Sequence, residues 1–142
     1  MSESAGTSQH VVVGVDGSPQ SITALRYGRK LADALGLDLE AFAAWQVHTA
    51  FEQYEPTGWD PETEARTGLE STIEEAFGED RPANLSLRLA MGPSTQQLVD
   101  RSKDAAMIVL GTRGRGGFKG MILGSVSANV AAHAKCPVVI AR

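Results

Sequence analysis

The chain has 142 residues, of which 42% are hydrophobic and 21% are charged, and this is the composition of an ordinary folded domain. No apolar run approaches the roughly 20 residues of a membrane-spanning helix, and the start MSESAGTSQ contains neither a basic nor an apolar segment. We therefore expect a cytoplasmic protein without a membrane partner. The net charge of −4 argues against nucleic acid as the main partner, because phosphate contacts require a basic face.

The cysteine count excludes disulfide bonds, and the first residues of the chain predict a tail before the folded domain. Cys136 is the single cysteine, so a disulfide framework is excluded, and its apolar surroundings favour a small buried side chain over a nucleophile or metal ligand. We expect residues 1–8 to form a flexible tail and residues 9–142 to form one folded domain.

The first half of the chain predicts two strand–helix units and a third strand. Residues 9–15 are apolar and β-branched after His10, which favours a central strand that is covered on both faces. Ser18 and Pro19 suit the start of a helix that ends at Leu35, before Gly36. The elements predicted next are a strand at 38–46, a long connection at 47–60, a helix at 61–77 and a possible edge strand at 85–90.

The second half continues the alternation of strands and helices. Ser94, after Gly92 and Pro93, is predicted to cap a short helix. The remaining predicted elements are a strand at 106–110, a helix at 125–134 and a strand at 137–141. Strict alternation of strands with crossover helices predicts a parallel sheet with helices on both faces, which is a doubly wound α/β domain.

A glycine-rich, basic segment joins the fourth predicted strand to the last predicted helix. It reads MIVLGTRGRGGFKGMILGSVS over residues 107–127, with positive charge from Arg113, Arg115 and Lys119 and no acidic residue. Its glycines permit close backbone approach, and the following helix N-terminus offers N–H groups and the positive end of a dipole. This layout is typical of a phosphate site. The alternative is a mobile loop with at most a weak RGG-type contact to nucleic acid.

The spacing within this segment resembles a family signature. Gly111 is followed after two residues by Gly114, and after nine more by Gly124 and Ser125. Together with VVVGVDGSP near the start and GSVSANVAAHAKCPVVIAR at the end, this pattern resembles the ATP-binding members of the universal stress protein family over nearly the whole chain. The P-loop pattern G-x-x-x-x-G-K-[ST] is absent, and no G-x-G-x-x-G follows the first strand.

The resemblance implies a fold and a crevice. The implied fold is a single doubly wound, Rossmann-like α/β domain with about four helices and a five-stranded parallel sheet of order 3-2-1-4-5. In such a sheet the ligand binds at the carboxyl ends of the strands where the order reverses. Asp16, just after strand one, would then accept hydrogen bonds from ribose hydroxyls or hold Mg²⁺ beside the phosphates. The alternative for Asp16 is a turn residue or an accessory helix cap.

The resemblance also implies which residues bind the nucleotide. Residues at the ends of strands one and two would contact adenosine, those ending strand four would close over the sugar, and the loop and last helix would hold the phosphates. Ser125 and Ser127 can donate from hydroxyl and backbone groups. Trp45 is as compatible with a core or dimer-facing position as with an adenine contact. The implied set is Gly14, Val15, Asp16, Trp45, Leu110, Gly111, Arg113, Gly114, Gly124, Ser125, Val126 and Ser127.

The implied function is a regulatory stress-response module that binds ATP with Mg²⁺. The resemblance further implies a homodimer through the terminal strand Pro137–Ala141. A dedicated enzyme is not expected, because the sequence supplies a phosphate cradle but no evident general base. Three alternatives stay open: a slow ATPase or autophosphorylating enzyme, a receptor for another adenine nucleotide such as cyclic AMP, and a dimeric interaction module that binds no nucleotide.

Overall fold

The computed structural model describes residues 10–46, 60–112 and 123–142. The predicted tail and most of the predicted connection at 47–60 lie outside these ranges. None of the helices within them is long and apolar enough to cross a membrane. In chain order the described elements are β1 (His10–Gly14), α1 (Pro19–Leu35), β2 (Asp38–Trp45), α2 (Pro61–Phe77), a 3-10 turn (Gly78–Asp80), β3 (Leu85–Met91), α3 (Ser94–Arg101), β4 (Met107–Gly111), α4 (Ser125–His133) and β5 (Val138–Ala141).

The strands form one parallel sheet of order β3-β2-β1-β4-β5, which confirms the topology that the family resemblance implies. β1 is central, and its Val12 lies opposite Glu40 of β2 and Ile108 of β4. Parallel strands require long crossovers, and the helices in these crossovers cover both faces of the sheet. Because the strand order reverses between β1 and β4, the carboxyl ends of these two strands border a crevice.

Alternate residues of β1 belong to cores on opposite faces of the sheet. Val11 and Val13 pack with α1 and α2, Val12 packs on the face of α3 and α4, and all three are 0% exposed. Burial on both faces explains why consecutive apolar residues form this strand. On the first face, α1 lies very close to β1, since a Cβ at Gly28 would be 2.5 Å from Cγ2 of Val13.

The ends of α1 and α2 follow from preferences that are visible in the sequence. Ser18 caps α1 by accepting a hydrogen bond from the N–H of Ser21, and Gly36 ends the helix in the left-handed conformation with φ of 68°. Asp60 caps α2 by accepting a hydrogen bond from the N–H of Glu62 at 3.1 Å. The predicted bounds of both helices agree with the structure.

The start of α3 differs from the prediction by one residue. Pro93, not Ser94, is the cap residue, and Ser94 is the first residue of the helix. Pro93 has no side-chain oxygen, and its backbone is extended, so the cap makes no side-chain hydrogen bond. Gly92, with φ of 134°, makes the turn that sets this helix start, and the turn prevails over the preference of serine for the cap position.

β2 contains a buried acidic residue that its apolar character does not predict. Glu40 is 4% exposed, and Arg101 of α3, which is 8% exposed, contacts it with two hydrogen bonds. Nε donates to Oε2 at 2.8 Å, and a terminal nitrogen of the guanidinium donates to Oε1 at 2.9 Å. This paired geometry compensates for the burial of the carboxylate, and it fixes α3 against β2.

Candidate functional site

A cavity, which we call the crevice pocket, lies between the carboxyl ends of β1 and β4. It contains about 530 Å³ of empty space, part of it open to solvent. Its walls are the ends of β1, β2 and β4 and the starts of α1, α3 and α4. The lining residues are Gly14, Val15, Asp16, Ser18, Ser21, Phe42, Ala44, Ser94, Leu98, Leu110, Gly111, Val126 and Ser127.

Three helices begin at the crevice pocket. Ser18, Ser94 and Val126, from the starts of α1, α3 and α4, all line it. None of these helices has an acidic residue in its first turn, whereas α2, which lines no part of this pocket, has Glu62 and Glu64 there. Acidic residues in a first turn offset the positive end of the helix dipole, so their absence leaves the positive ends of these three dipoles unopposed within the helices themselves. The crevice pocket is therefore suited to an anion.

The start of α4 is held against the end of β4. The N–H of Gly124, the cap residue of α4, donates to the carbonyl of Thr112 at 2.7 Å. The hydroxyl of Ser127 donates to the carbonyl of Gly111 at 2.7 Å. Glycine offers no side chain to accept from the first N–H groups of the helix, and these groups have no partner within the helix. They are therefore left to bind water or a ligand.

Two glycines bring the walls of the pocket close together. A Cβ at Gly14 would lie 2.5 Å from Cδ2 of Leu110, and a Cβ at Gly111 would lie 2.8 Å from the carbonyl oxygen of Gln20. Both separations are too short for a real side chain. Gly111 therefore allows the first turn of α1 to lie directly against the end of β4.

The inner wall of the crevice pocket is apolar. Phe42 of β2, Leu98 of α3 and Leu110 of β4 line it, and they belong to the core on the face of α3 and α4. Their exposed fractions are only 3–4%, so core packing holds this wall in place. A pocket with an apolar wall on one side and helix N-termini on the other suits a ligand that combines an apolar ring with an anionic group.

Asp16 is the one acidic side chain among the described residues that line the crevice pocket. Its Oδ1 accepts two hydrogen bonds from Ser18, one from the backbone N–H at 2.9 Å and one from the hydroxyl at 2.6 Å. Asp16 is exposed, whereas Ser18 is 5% exposed. A carboxylate at the mouth of the pocket is thus held by a buried residue of α1.

Most of the predicted nucleotide-binding residues meet at this place. Arg113 and Gly114 lie outside the described residues. Which residues contact a ligand stays a prediction. Those that line the crevice pocket are Gly14, Val15, Asp16, Leu110, Gly111, Val126 and Ser127, while Gly124 and Ser125 immediately precede Val126 in the chain.

Trp45 lines a second hollow on the other side of the ends of β1 and β2. This hollow contains about 1050 Å³ of empty space, part of it open to solvent, and Glu64 from the first turn of α2 also lines it. An acidic first turn makes this larger hollow less suited to an anion than the crevice pocket. Asp16 borders both hollows, and so does Ala44, the residue before Trp45.

Several lining residues are missed by sequence reasoning. Ser94 had a usable signal, because it follows a strand end and a turn, as Ser18 does after β1. Phe42 and Leu98 had none, since apolar residues in a strand or a helix are equally typical of the core. The missed residues are Ser18, which the sequence identifies only as a helix cap, Ser21, Phe42, Ala44, Ser94 and Leu98.

The fold and the crevice pocket define the class of this protein as a doubly wound, Rossmann-like α/β domain with a crevice at the point of strand reversal. The model of the universal stress protein family matches residues 7–142. The chain belongs to the universal stress protein family.

Two mycobacterial relatives show the extent of the similarity. A universal stress protein of Mycolicibacterium smegmatis is 34% identical over 133 residues, which cover 93% of this chain and 45% of that protein. One of Mycobacterium tuberculosis is 34% identical over 134 residues, which cover 93% of this chain and 44% of that protein. The chain thus spans less than half the length of these relatives.

Solved structures of universal stress proteins resemble the chain over nearly its full length. One in complex with cAMP is 27% identical with a TM-score of 0.69, covering 94% of this chain and 97% of that chain. UspA from Lactobacillus plantarum is 21% identical with a TM-score of 0.77, covering 96% and 99%. A protein from Archaeoglobus fulgidus in complex with dAMP is 21% identical with a TM-score of 0.66, covering 94% and 98%. At 21% identity, the latter two structures show that they share the fold of this chain.

Proposed function

We propose that this chain binds an adenine nucleotide, and specifically ATP, in the crevice pocket. The observation that carries the proposal is that three helices without acidic first turns begin at one pocket with an apolar wall. The phosphates bind at the start of α4, where Gly124 leaves the backbone N–H groups uncovered by a cap side chain. The base lies on the apolar wall that Phe42 and Leu98 form.

The remaining predicted residues have distinct roles in this arrangement. Asp16 accepts hydrogen bonds from the ribose hydroxyls, and Leu110 and Gly111 close over the sugar. Arg113 and Gly114 contribute charge and close backbone approach to the phosphates. On β2 the base-side neighbours are Phe42 and Ala44, since these residues and not Trp45 line the crevice pocket.

The charge of the segment between β4 and α4 favours a polyphosphate over a monophosphate. Arg113, Arg115 and Lys119 lie in this segment, and a single phosphate would leave most of this charge unpaired. Cyclic AMP is the second candidate ligand, because the solved relative that is 27% identical is a complex with cAMP.

We also propose that Mg²⁺ accompanies the nucleotide. Mg²⁺ in proteins is usually held by one or two carboxylates together with substrate phosphates, and it keeps several waters. Asp16 supplies one carboxylate at the crevice pocket, and no group of three or more metal-ligating side chains occurs among the described residues. The donor set therefore fits an ion that arrives with ATP. As the alternative to its ribose role, Asp16 would hold the ion, which would neutralise part of the phosphate charge.

We propose a regulatory role in the stress response, in the cytoplasm, in place of dedicated catalysis. Family membership supports the stress role. The pocket supports binding, since the hydrogen bonds from Ser18 hold its one described carboxylate, Asp16, in place as a ligand. Multiple turnovers of ATP that stop when one polar residue is changed, while ATP still binds, would establish an enzyme instead.

We further propose a homodimer through β5. This strand pairs with β4, and it lies at the edge of the described sheet. An apolar edge strand presents backbone N–H and C=O groups that a second copy can pair with. Sedimentation equilibrium should give a dimer mass, and a monomer at every protein concentration would contradict this part of the proposal.

Calorimetric titration with ATP, ADP, AMP and cyclic AMP tests the ligand assignment. We expect ATP with Mg²⁺ to bind most tightly and the affinity to fall as phosphates are removed. Tighter binding of cyclic AMP than of ATP would favour the receptor function. No binding of any of the four, together with no nucleotide released from denatured protein, would favour a dimeric module without a nucleotide.

A further inference from the structure

We propose that Ser18 is a positioning residue that aims the Asp16 carboxylate at the ribose, in addition to capping α1. The inference rests on the proposed nucleotide function and deepens it, because it names the residue that determines how strongly the site discriminates for ribose hydroxyls. Ser18 does not need to touch the nucleotide to have this effect.

The first support is the geometry of the contact between Ser18 and Asp16. Both donors of Ser18 reach the same oxygen, Oδ1, at 2.9 Å from the backbone nitrogen and 2.6 Å from the hydroxyl. Hydrogen bonds to a charged acceptor are short and strong. Two of them on one oxygen fix the direction of the carboxylate far better than one.

The second support is that Ser18 is itself held rigidly. It is 5% exposed, and its hydroxyl accepts a hydrogen bond from the N–H of Ser21 at 3.3 Å. Its carbonyl accepts from the hydroxyl of Ser21 at 2.8 Å. Asp16, by contrast, is exposed, and an unsupported carboxylate would lose conformational freedom on binding a ligand. A fixed partner removes most of that loss.

The third support is the position of Asp16 between two hollows. Asp16 lines both the crevice pocket and the second hollow, whereas Ser18 lines only the crevice pocket. The second hollow is also lined by Glu64 of α2, whose negative charge would repel the Asp16 carboxylate. The hydrogen bonds from Ser18 hold it on the side of the crevice pocket, where the proposed nucleotide lies.

Four variants separate positioning from helix capping. Ser18→Ala and Ser18→Gly both remove the hydroxyl, but glycine is nearly as good a helix cap as serine, so Ser18→Gly leaves α1 stable. Ser18→Thr keeps the hydroxyl. Asp60→Ala is the matched control, because it removes the cap of α2, which lines no part of the crevice pocket. Circular dichroism confirms that each variant is folded.

The measurement is the ratio of the dissociation constants of 2′,3′-dideoxy-ATP and ATP, from calorimetry. The wild-type protein should bind ATP at least about tenfold more tightly than 2′,3′-dideoxy-ATP, since only ATP offers ribose hydroxyls to the charged acceptor. The ratio should fall to about threefold or less in Ser18→Ala and Ser18→Gly, mainly through weaker ATP binding. It should persist in Ser18→Thr and Asp60→Ala.

Three results would overturn the inference, and they differ from one another. An unchanged ratio in both Ser18→Ala and Ser18→Gly would show that the hydroxyl of Ser18 does not position Asp16. Equal affinity of the wild-type protein for the two nucleotides would remove the ribose role of Asp16 but leave nucleotide binding intact. Absence of binding of either nucleotide to the wild-type protein would refute the proposed function itself.

Discussion

Gly124 is the cap residue of α4, and in the proposed complex a side chain at this position would separate the first N–H groups of the helix from a phosphate. We predict that Gly124→Val weakens ATP binding by about 100-fold or more, which corresponds to the loss of two hydrogen bonds to a charged group. The backbone at this position has φ of −72° and ψ of 166°, which valine also adopts, so strain is not the cause. Calorimetry measures the change.

Ala128→Val is the matched control for Gly124→Val. It introduces the same side chain into α4 at an exposed position, and it should leave the affinity for ATP unchanged. If Gly124→Val binds ATP as tightly as the wild-type protein, α4 does not hold the phosphates.

Cys136 is predicted to react slowly with thiol reagents. Burial raises the pKa of its thiol, and the Ile108 backbone and the nearby Arg101 offset this only in part. The thiolate is the reactive form, so alkylation of the folded protein at neutral pH should be severalfold slower than that of the urea-unfolded chain. Cys136 is the single cysteine, so mass spectrometry reads one event. Equal rates in both states would contradict the prediction.

Single residues of the site are predictable where their role is a backbone role. The glycine at 124 follows from its spacing, and the structure places it as the cap of α4. The hydroxyl of Ser127 is different, because it donates its one proton to the carbonyl of Gly111. The sequence predicts that this hydroxyl can donate to a phosphate. It cannot show that the carbonyl of Gly111 lies close enough to accept the same proton, because that contact arises only in the fold.

At the scale of elements, we predict that a glycine-to-alanine substitution has opposite effects on stability in two helices. A Cβ at Gly28 of α1 would meet Cγ2 of Val13 at 2.5 Å, while a Cβ at Gly68 of α2 meets nothing within 4 Å. Gly28→Ala should therefore lower the free energy of unfolding by about 1–3 kcal/mol through overpacking. Gly68→Ala should raise it by about 0.5–1 kcal/mol through helix propensity.

Urea denaturation of the two glycine variants measures both effects. Each variant serves as the control for the other, since α1 and α2 have the same length of 17 residues. If both variants changed the free energy of unfolding by the same amount, α1 would not pack on β1 as tightly as described.

The contact between α3 and β2 depends on the buried pair of Glu40 and Arg101. We predict that Arg101→Met alone lowers the free energy of unfolding by about 3–5 kcal/mol, because it leaves the buried carboxylate with only the exposed Arg88, 4.0 Å away, as a partner. The double variant with Glu40→Leu should recover most of this loss, since a well-packed apolar pair is often as stable. Urea denaturation tests this, and a double variant less stable than Arg101→Met would contradict it.

Elements are predictable where local chemistry decides their ends. The helix at 61–77 agrees with the structure because Asp60, Pro61 and Gly78 determine both ends. The start of α3 does not, because the turn at Gly92 outweighs a side-chain preference. Glu40 in β2 could not be recognised as buried, because its partner Arg101 is 61 residues away in the chain.

At the scale of the whole molecule, the strand order is the feature that creates the site. β1 and β4 are neighbours in the sheet although α1, β2, α2, β3 and α3 separate them in the chain. Local patterns predict parallel strands, but each buried strand is apolar on both faces, so no pattern shows which strands are neighbours. The family resemblance supplied the order, and the structure confirms it.

The residues of the crevice pocket can be predicted from the sequence only in part. Its glycines and Asp16 could be recognised from motifs. Its apolar wall and the meeting of three helix starts could not, because they arise only when distant segments pack together.

The most direct test of the central claim is a crystal structure of the protein grown with ATP and Mg²⁺. We predict that phosphate oxygens lie within hydrogen-bond distance of the backbone N–H groups at the start of α4, with the base on the wall formed by Phe42 and Leu98. A crevice pocket that stays empty under these conditions, or a nucleotide that binds in the second hollow beside Trp45, would contradict the account.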